Sequence, residues 1–209
     1  MKKLLLATAA FASIMWVGVG VAHAQSEYTK MPAGIYALDK SHASLTWKVS
    51  HMGLSNYTAR FTDFDADLTF NPKHPEQSKL LVTIDPTSVK TDFPYVQKMD
   101  FDKELSTGEG WFNAGNFPQI KFVSTSVERK EDNTGIMHGN LTFLGVTKPV
   151  ALNVRFNAAM LEHPMNQKPT LGFSATGKIK RSDFGMETYL PNIGDNVTLL
   201  IEAEFAMEK

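Results

Sequence analysis

From about residue 34 onward, apolar residues return at every second position. Phe64, Ala66, Leu68 and Phe70 alternate with Asp63, Asp65, Asp67 and Thr69, and Val150, Leu152, Val154, Phe156 and Ala158 alternate with Ala151, Asn153, Arg155 and Asn157. Leu171, Phe173, Ala175 and Ile179 repeat the pattern, as do Val197, Leu199, Ile201, Ala203 and Phe205. Successive side chains of a strand point to opposite faces, so this period predicts strands with one dry and one wet face. Turn-forming clusters at 71–78, 131–135, 144–149 and 163–169 separate them. One stretch breaks the pattern: VQKMDFDKELSTGEGWF, residues 96–112, predicts a short helix and a loop inserted between strands. Seven to nine regularly spaced strands predict an all-β fold, an antiparallel barrel or a sandwich. Closure into a barrel is favoured because 58–70 and 147–160 read as long strands whose edges would otherwise stay unpaired.

Within HASLTWKVSHMG, residues 42–53, Leu45, Trp47, Val49 and His51 share one parity. Read as one continuous strand, this segment places His42 and His51 on opposite faces and roughly 30 Å apart, too far to share a metal ion. His74 and His163 lie beside prolines in turns, His138 stands alone, and His23 falls in the leader. No HExxH or comparable ligand spacing occurs, and no metal or other cofactor is expected. Nucleophile elbows, phosphate loops and dinucleotide fingerprints are also missing. Asp183-Phe184-Gly185 reads as turn chemistry, and Asp63, Asp65 and Asp67 read as a solvated outer face. Three glycosylation sequons, beginning at Asn56, Asn140 and Asn196, matter only in a eukaryotic secretory pathway.

The chain opens MKKLLLATAAFASIMWVGVGVAHA, with two lysines, an apolar run and Ala22-His23-Ala24. That pattern predicts a bacterial secretory signal cut after Ala24, no stable membrane anchor, and a single exported domain over residues 25–209. There is no cysteine, so neither a disulfide nor a lipidated thiol can contribute. Without Lys2 and Lys3 the chain carries 19 basic against 22 acidic residues, a net charge of −3. Such a balance gives no electrostatic footprint for nucleic acid or for an anionic membrane surface.

The order DKSHASLTWKVSHMGLSNYTARFTDFDADLTFNP, LLVTIDPTSVKTD, FDKELSTGEGWFNAGNFPQIKFVSTSV, GNLTFLGVTKPVALNV, IKRSDFGM and VTLLIEAEF resembles the YceI-like family of bacterial polyisoprenoid-binding proteins. The resemblance runs from about Gly34 to Phe205. It implies a lipocalin-like antiparallel barrel in the periplasm, whose apolar interior holds a long isoprenoid such as a polyprenyl lipid or a quinone tail. Residues 162–168 look like a variable loop.

By parity alone the dry face is either a packed core or the lining of a tube. The flat side chains of Trp47, Phe64, Phe122, Phe143, Phe156 and Phe173 favour a tube, and Leu45, Val49, Leu68, Val154, Ile179, Leu199 and Ile201 complete the expected ligand-binding wall. His51 shares that parity and is either a satisfied interior histidine or a polar contact to the ligand. Arg60 and Arg181, near strand ends, are the candidate head-group contacts. Binding or carriage leads as the function class. An enzyme acting on an isoprenoid inside the barrel would need an inward titratable pair, for which only His51, Arg60 and Arg181 are on offer. A stress or interaction protein with an incidental cavity is the third class. A homodimer is compatible with the sequence.

Overall fold

The computed structural model describes residues 28–131 and 133–208, so the expected leader and its cleavage site lie outside the described residues. Eleven strands form a single antiparallel sheet: β1 Gly34–Leu38, β2 Ser44–His51, β3 Ser55–Phe61, β4 Phe64–Phe70, β5 Lys79–Ile84, β6 Val89–Lys90, β7 Ile120–Arg129, β8 Thr134–Phe143, β9 Val146–Met160, β10 Thr170–Lys180 and β11 Ile193–Met207. The sheet closes because β11 pairs with β1 through Phe205–Met207, as well as with β2 through Ile193–Glu202. The result is an eight-stranded closed barrel, in which three walls are each built from two short strands placed end to end.

Those three walls are β1 with β2, β3 with β4, and β5 with β6, and they are neighbours. The expected long strand over 58–70 is therefore two strands broken at Thr62 and Asp63. A change of parity causes the break. Phe61 and Ala59 face inward at odd positions, whereas Phe64, Ala66, Leu68 and Phe70 face inward at even ones. A one-residue slip would turn a whole dry face to water, so the backbone must change course where the parity changes. Leu38 against Leu45, and Ile84 against Val89, show the same switch across the other two breaks.

Short 3-10 turns fill two of these breaks. Asp39 caps Lys40–His42 by accepting from the Ser41 amide at 2.9 Å, and Asp85 caps Pro86–Ser88 by accepting from the Thr87 amide at 2.8 Å. Caps of this kind contribute about 1 kcal/mol each. The Asp85 amide donates to the Asp63 carbonyl and the Thr62 amide to the Ser88 carbonyl, so adjacent breaks stitch one another. His42 consequently belongs to a turn, not to the strand that carries Leu45, Trp47 and Val49.

The inserted segment, expected as a short helix and a loop over 96–112, holds the helix α1 Phe101–Thr107, capped by Asp100 accepting from the Lys103 amide. Asp102 fastens it to the barrel by accepting from the Thr91 amide and hydroxyl at 2.8 and 2.6 Å. The following turn drives Phe112 into the barrel end, where its ring meets Phe61, Phe143 and Trp47 at centroid distances of 5.3, 5.8 and 6.2 Å. One end of the barrel is thereby plugged. Arg181–Phe184 forms a 3-10 turn closed by Gly185 at φ 85°, the left-handed conformation that glycine adopts without strain.

Candidate functional site

The dry faces do not fill the barrel. A cavity of about 660 Å³ runs inside the walls made by β4, β5, β7, β8, β9, β10 and β11, within the range of roughly 300–1,000 Å³ usual for ligand sites. A smaller chamber of about 130 Å³ lies toward the plugged end, and Leu45, Ile84, Leu141 and Leu199 line both. Closed by α1 and Phe112 at one end, the cavity reaches the surface at the other, beside the turn joining β7 to β8.

Of the residues expected to line a tube, Leu45, Phe64, Leu68, Phe122, Val154, Phe156, Phe173, Leu199 and Ile201 border the main cavity. Trp47, Val49, Phe143 and Ile179 border the inner chamber, together with Leu45 and Leu199. These strands are far apart in sequence but adjacent around the barrel, which is why one period-two rule gathers them. The aromatic wall is edge-packed: Phe173 lies 5.5 Å from Phe156 and 6.0 Å from Phe205 between ring centroids. The Trp47 indole nitrogen is buried without a hydrogen-bond partner among the described residues, a costly arrangement in an apolar wall.

The polar expectations fare differently. His51 is half-buried at the end of β2, opposite Ser55 and Ile193, and does not line the cavity. Arg60 lies on the outer parity of β3 and pairs with Asp92 at 2.6 Å, away from the cavity. Arg181 borders the inner chamber at the plugged end, opposite to the mouth. Its guanidinium donates to the carbonyls of Met186, Thr188, Ile193 and Gly194 at 2.8–3.0 Å, and burial lowers its pKa. Those four bonds make it a tie for the 186–194 segment, with its donors directed at backbone.

The mouth is built from residues that periodicity did not single out. Tyr28 packs edge-on against Phe156 at 5.5 Å and Phe70 at 6.5 Å, and the Arg129 guanidinium lies over its ring at 5.6 Å. Arg129, Lys130, Glu131, Asn133 and Thr134 complete the rim. Sequence reading treated the 131–135 stretch only as a turn, and strict alternation could not reveal Arg129, because Phe122 faces inward at an even position and a bulge between Ser124 and Ser126 turns Val127 and Arg129 inward at odd ones.

His42 and His51 are not brought together, since β2 lies between them. His42 instead meets Asp39 and Glu204, their ligand-type atoms lying within 4.8 Å of one another. Spacing could not foresee this trio, because Glu204 arrives from the last strand. Hydrogen bonds from the Ser41 hydroxyl and His42 hold the Asp39 carboxyl at a pKa of about 2, and Asp39 in turn raises that of His42. The acids at 63, 65 and 67 face outward, with Lys40 bridging Asp63 and Asp65 at 3.4 and 3.2 Å.

A family model described as the YceI-like domain matches residues 36–205. Protein YceI of Salmonella arizonae is 38% identical over 179 residues, which is 85% of this chain and 89% of that protein. The crystal structure of the Campylobacter jejuni YCEI protein is similar with a TM-score of 0.65 at 32% identity, covering 78% of this chain and 91% of that one. A polyisoprenoid-binding domain from Saccharophagus degradans shares the fold, with a TM-score of 0.56 at 16% identity over 85% of this chain and 100% of that one.

Proposed function

The chain belongs to the YceI-like family, and on that premise we propose that it binds and carries a long-chain isoprenoid lipid in the periplasm without transforming it. The observation that carries the reading is the open cavity of about 660 Å³, apolar along its length and open at one end. A hydrocarbon chain is the ligand class that such a space recognises, because burial of apolar surface is nondirectional and needs no paired polar groups. The polyisoprenoid-binding domain with the same fold supports the choice of an isoprenoid over other hydrocarbons.

A carrier suits the charge distribution better than an enzyme does. Among the described residues, the charged ones that border the main cavity are Arg129, Lys130 and Glu131, all at the rim, and Arg181 at the far end has its donors occupied by backbone. Acid–base chemistry deep in the cavity would need a titratable group within hydrogen-bond reach of the reacting atom. Carriage also explains a modest driving force. A lipid taken from a bilayer exchanges one dry environment for another, so net affinity depends on fit and on the mouth.

Organic extraction of the purified protein followed by mass spectrometry tests the reading. An isoprenoid at near-stoichiometric amount is expected. Protein that carries none, and takes none up from vesicles loaded with polyprenol or quinone, would refute it.

A further inference from the structure

We infer that Asp39, His42 and Glu204 form a site for one divalent transition-metal ion of the zinc class, on the outside of the barrel where β11 passes from β2 to β1. The inference is independent of the isoprenoid reading, because none of the three residues borders the cavity or the inner chamber.

Three observations carry it. First, the donors come from segments distant in sequence and are held together by backbone. Asp39 caps the 3-10 turn Lys40–His42 that fills the break between β1 and β2, and Glu204 lies on β11. Because β11 pairs with β2 up to Glu202 and with β1 from Phe205, Glu204 lies opposite that break. The Asp39 amide donates to the Glu204 carbonyl at 2.8 Å, and the His42 amide to the Asp39 carbonyl at 3.1 Å. The trio is thus assembled by the fold itself, which lowers the ordering cost of holding a ligand.

Second, the spacing suits one ion. A carboxylate oxygen of Asp39, one of Glu204 and a ring nitrogen of His42 all lie within 4.8 Å of one another. Asp39 Oδ2 is 3.0 Å from His42 Nδ1. Two donors bound to one zinc ion at about 2.1 Å, with an angle between square and tetrahedral, stand roughly 3.0–3.4 Å apart. The other Asp39 oxygen, Oδ1, accepts from the Ser41 amide and hydroxyl at 2.9 and 2.5 Å. Outer hydrogen bonds of this kind orient a ligating carboxylate, and here they turn Oδ2 toward His42.

Third, the charge suits a dication. Two carboxylates and a neutral imidazole carry a charge that one divalent ion cancels, and among the described residues neither Asp39 nor Glu204 pairs with a lysine or arginine. Lys40, inside the same turn, is drawn away to Asp63 and Asp65. A nitrogen with two carboxylate oxygens is a donor set that zinc accepts, whereas calcium and magnesium take oxygen ligands. The His42 side chain is 52% exposed, so an ion has an entry path and water completes its coordination. Because only folding brings the turn to β11, the ion binds the folded chain and braces this seam of the barrel.

The test titrates Zn2+ into delipidated, chelator-treated, tag-free protein by isothermal calorimetry, with Mg2+ as the contrasting ion. One Zn2+ per chain is expected, with a Kd of about 10 μM or tighter and a Mg2+ affinity at least about a hundredfold weaker. His42→Ala and Glu204→Gln are each expected to weaken Zn2+ binding at least roughly tenfold. His163→Ala, a surface histidine outside the trio, is expected to leave it unchanged. The melting temperature is expected to rise with Zn2+ in wild type and not in Glu204→Gln. Absence of stoichiometric Zn2+ binding overturns the inference and leaves Asp39 and His42 as an ion pair alone. Zn2+ binding that Glu204→Gln leaves unchanged, or that His163→Ala abolishes, overturns it too, since the ion then sits elsewhere. If circular dichroism shows that His42→Ala does not fold, Glu204→Gln alone decides by the same tenfold criterion.

Discussion

Replacing Val154 with Trp separates a hollow barrel from a packed one. Val154 borders the main cavity, and its register neighbours are small, Gly135 on β8 and Ala175 on β10. An indole at this position therefore meets open space. In a filled core such an enlargement costs roughly 1–3 kcal/mol through off-rotamer side chains and displaced backbone. Here about 660 Å³ is open, and one water molecule's share of liquid is only about 30 Å³, so the ring displaces solvent without moving the walls. Additional apolar burial of about 50 Å² would contribute on the order of 1 kcal/mol in the opposite direction. The stability of the lipid-free variant should then lie within about 1 kcal/mol of wild type, a melting shift of roughly 2–4 °C at most for a domain of this size. Leu171→Trp supplies the contrast, because Leu171 is fully buried and does not border the cavity. It should cost at least the 1–3 kcal/mol typical of overpacking. Differential scanning calorimetry of delipidated protein measures both, and extractable lipid is quantified in parallel. Val154→Trp should lose most of its lipid while keeping its stability. Equal destabilisation by the two substitutions, or unchanged lipid in Val154→Trp, would refute the reasoning.

Arg181→Met leaves the carbonyls of Met186, Thr188, Ile193 and Gly194 without their donor, and urea denaturation should show a loss of at least about 3 kcal/mol. Tyr36 is fully buried, donates to the Pro32 carbonyl at 2.8 Å, and has its phenol pKa pushed up to about 12 by burial. Because the folded state holds this proton more tightly than the unfolded chain, the linked stability is present below pH 10 and is lost as pH rises from about 10 through 12. Tyr36→Phe should cost about 1 kcal/mol at neutral pH and flatten the alkaline limb of a stability–pH curve in that window. Intact mass of the exported protein should correspond to a chain beginning at Gln25, and a mass retaining Met1–Ala24 would mean an uncleaved anchor.

Period-two alternation by itself determined which side chains face inward, because a strand's geometry leaves each residue only two directions. Phe64, Leu68, Phe156 and Phe173 were placed on the dry side without knowing any partner strand. The breaks in three walls were also written locally: Phe61 and Phe64 both face inward yet stand three apart, which no continuous strand can satisfy. Reading 58–70 as one strand missed that signal, and carrying β2 back to His42 missed the corresponding one between Leu38 and Leu45. Whether the inward faces met or left a space was decided only by the tertiary structure, since it depends on barrel girth and on Phe112 plugging one end. The same holds for the polar residues. Arg60 and Arg181 both read as strand-end cations, yet one is drawn outward to Asp92 and the other is enclosed by backbone carbonyls from residues 186–194. Arg129 lies at the mouth because Tyr28, about a hundred residues earlier, supplies the ring beneath it. Strand periodicity is a local property of the chain, whereas a cavity and its mouth are made by segments distant in sequence that only closure of the barrel brings together.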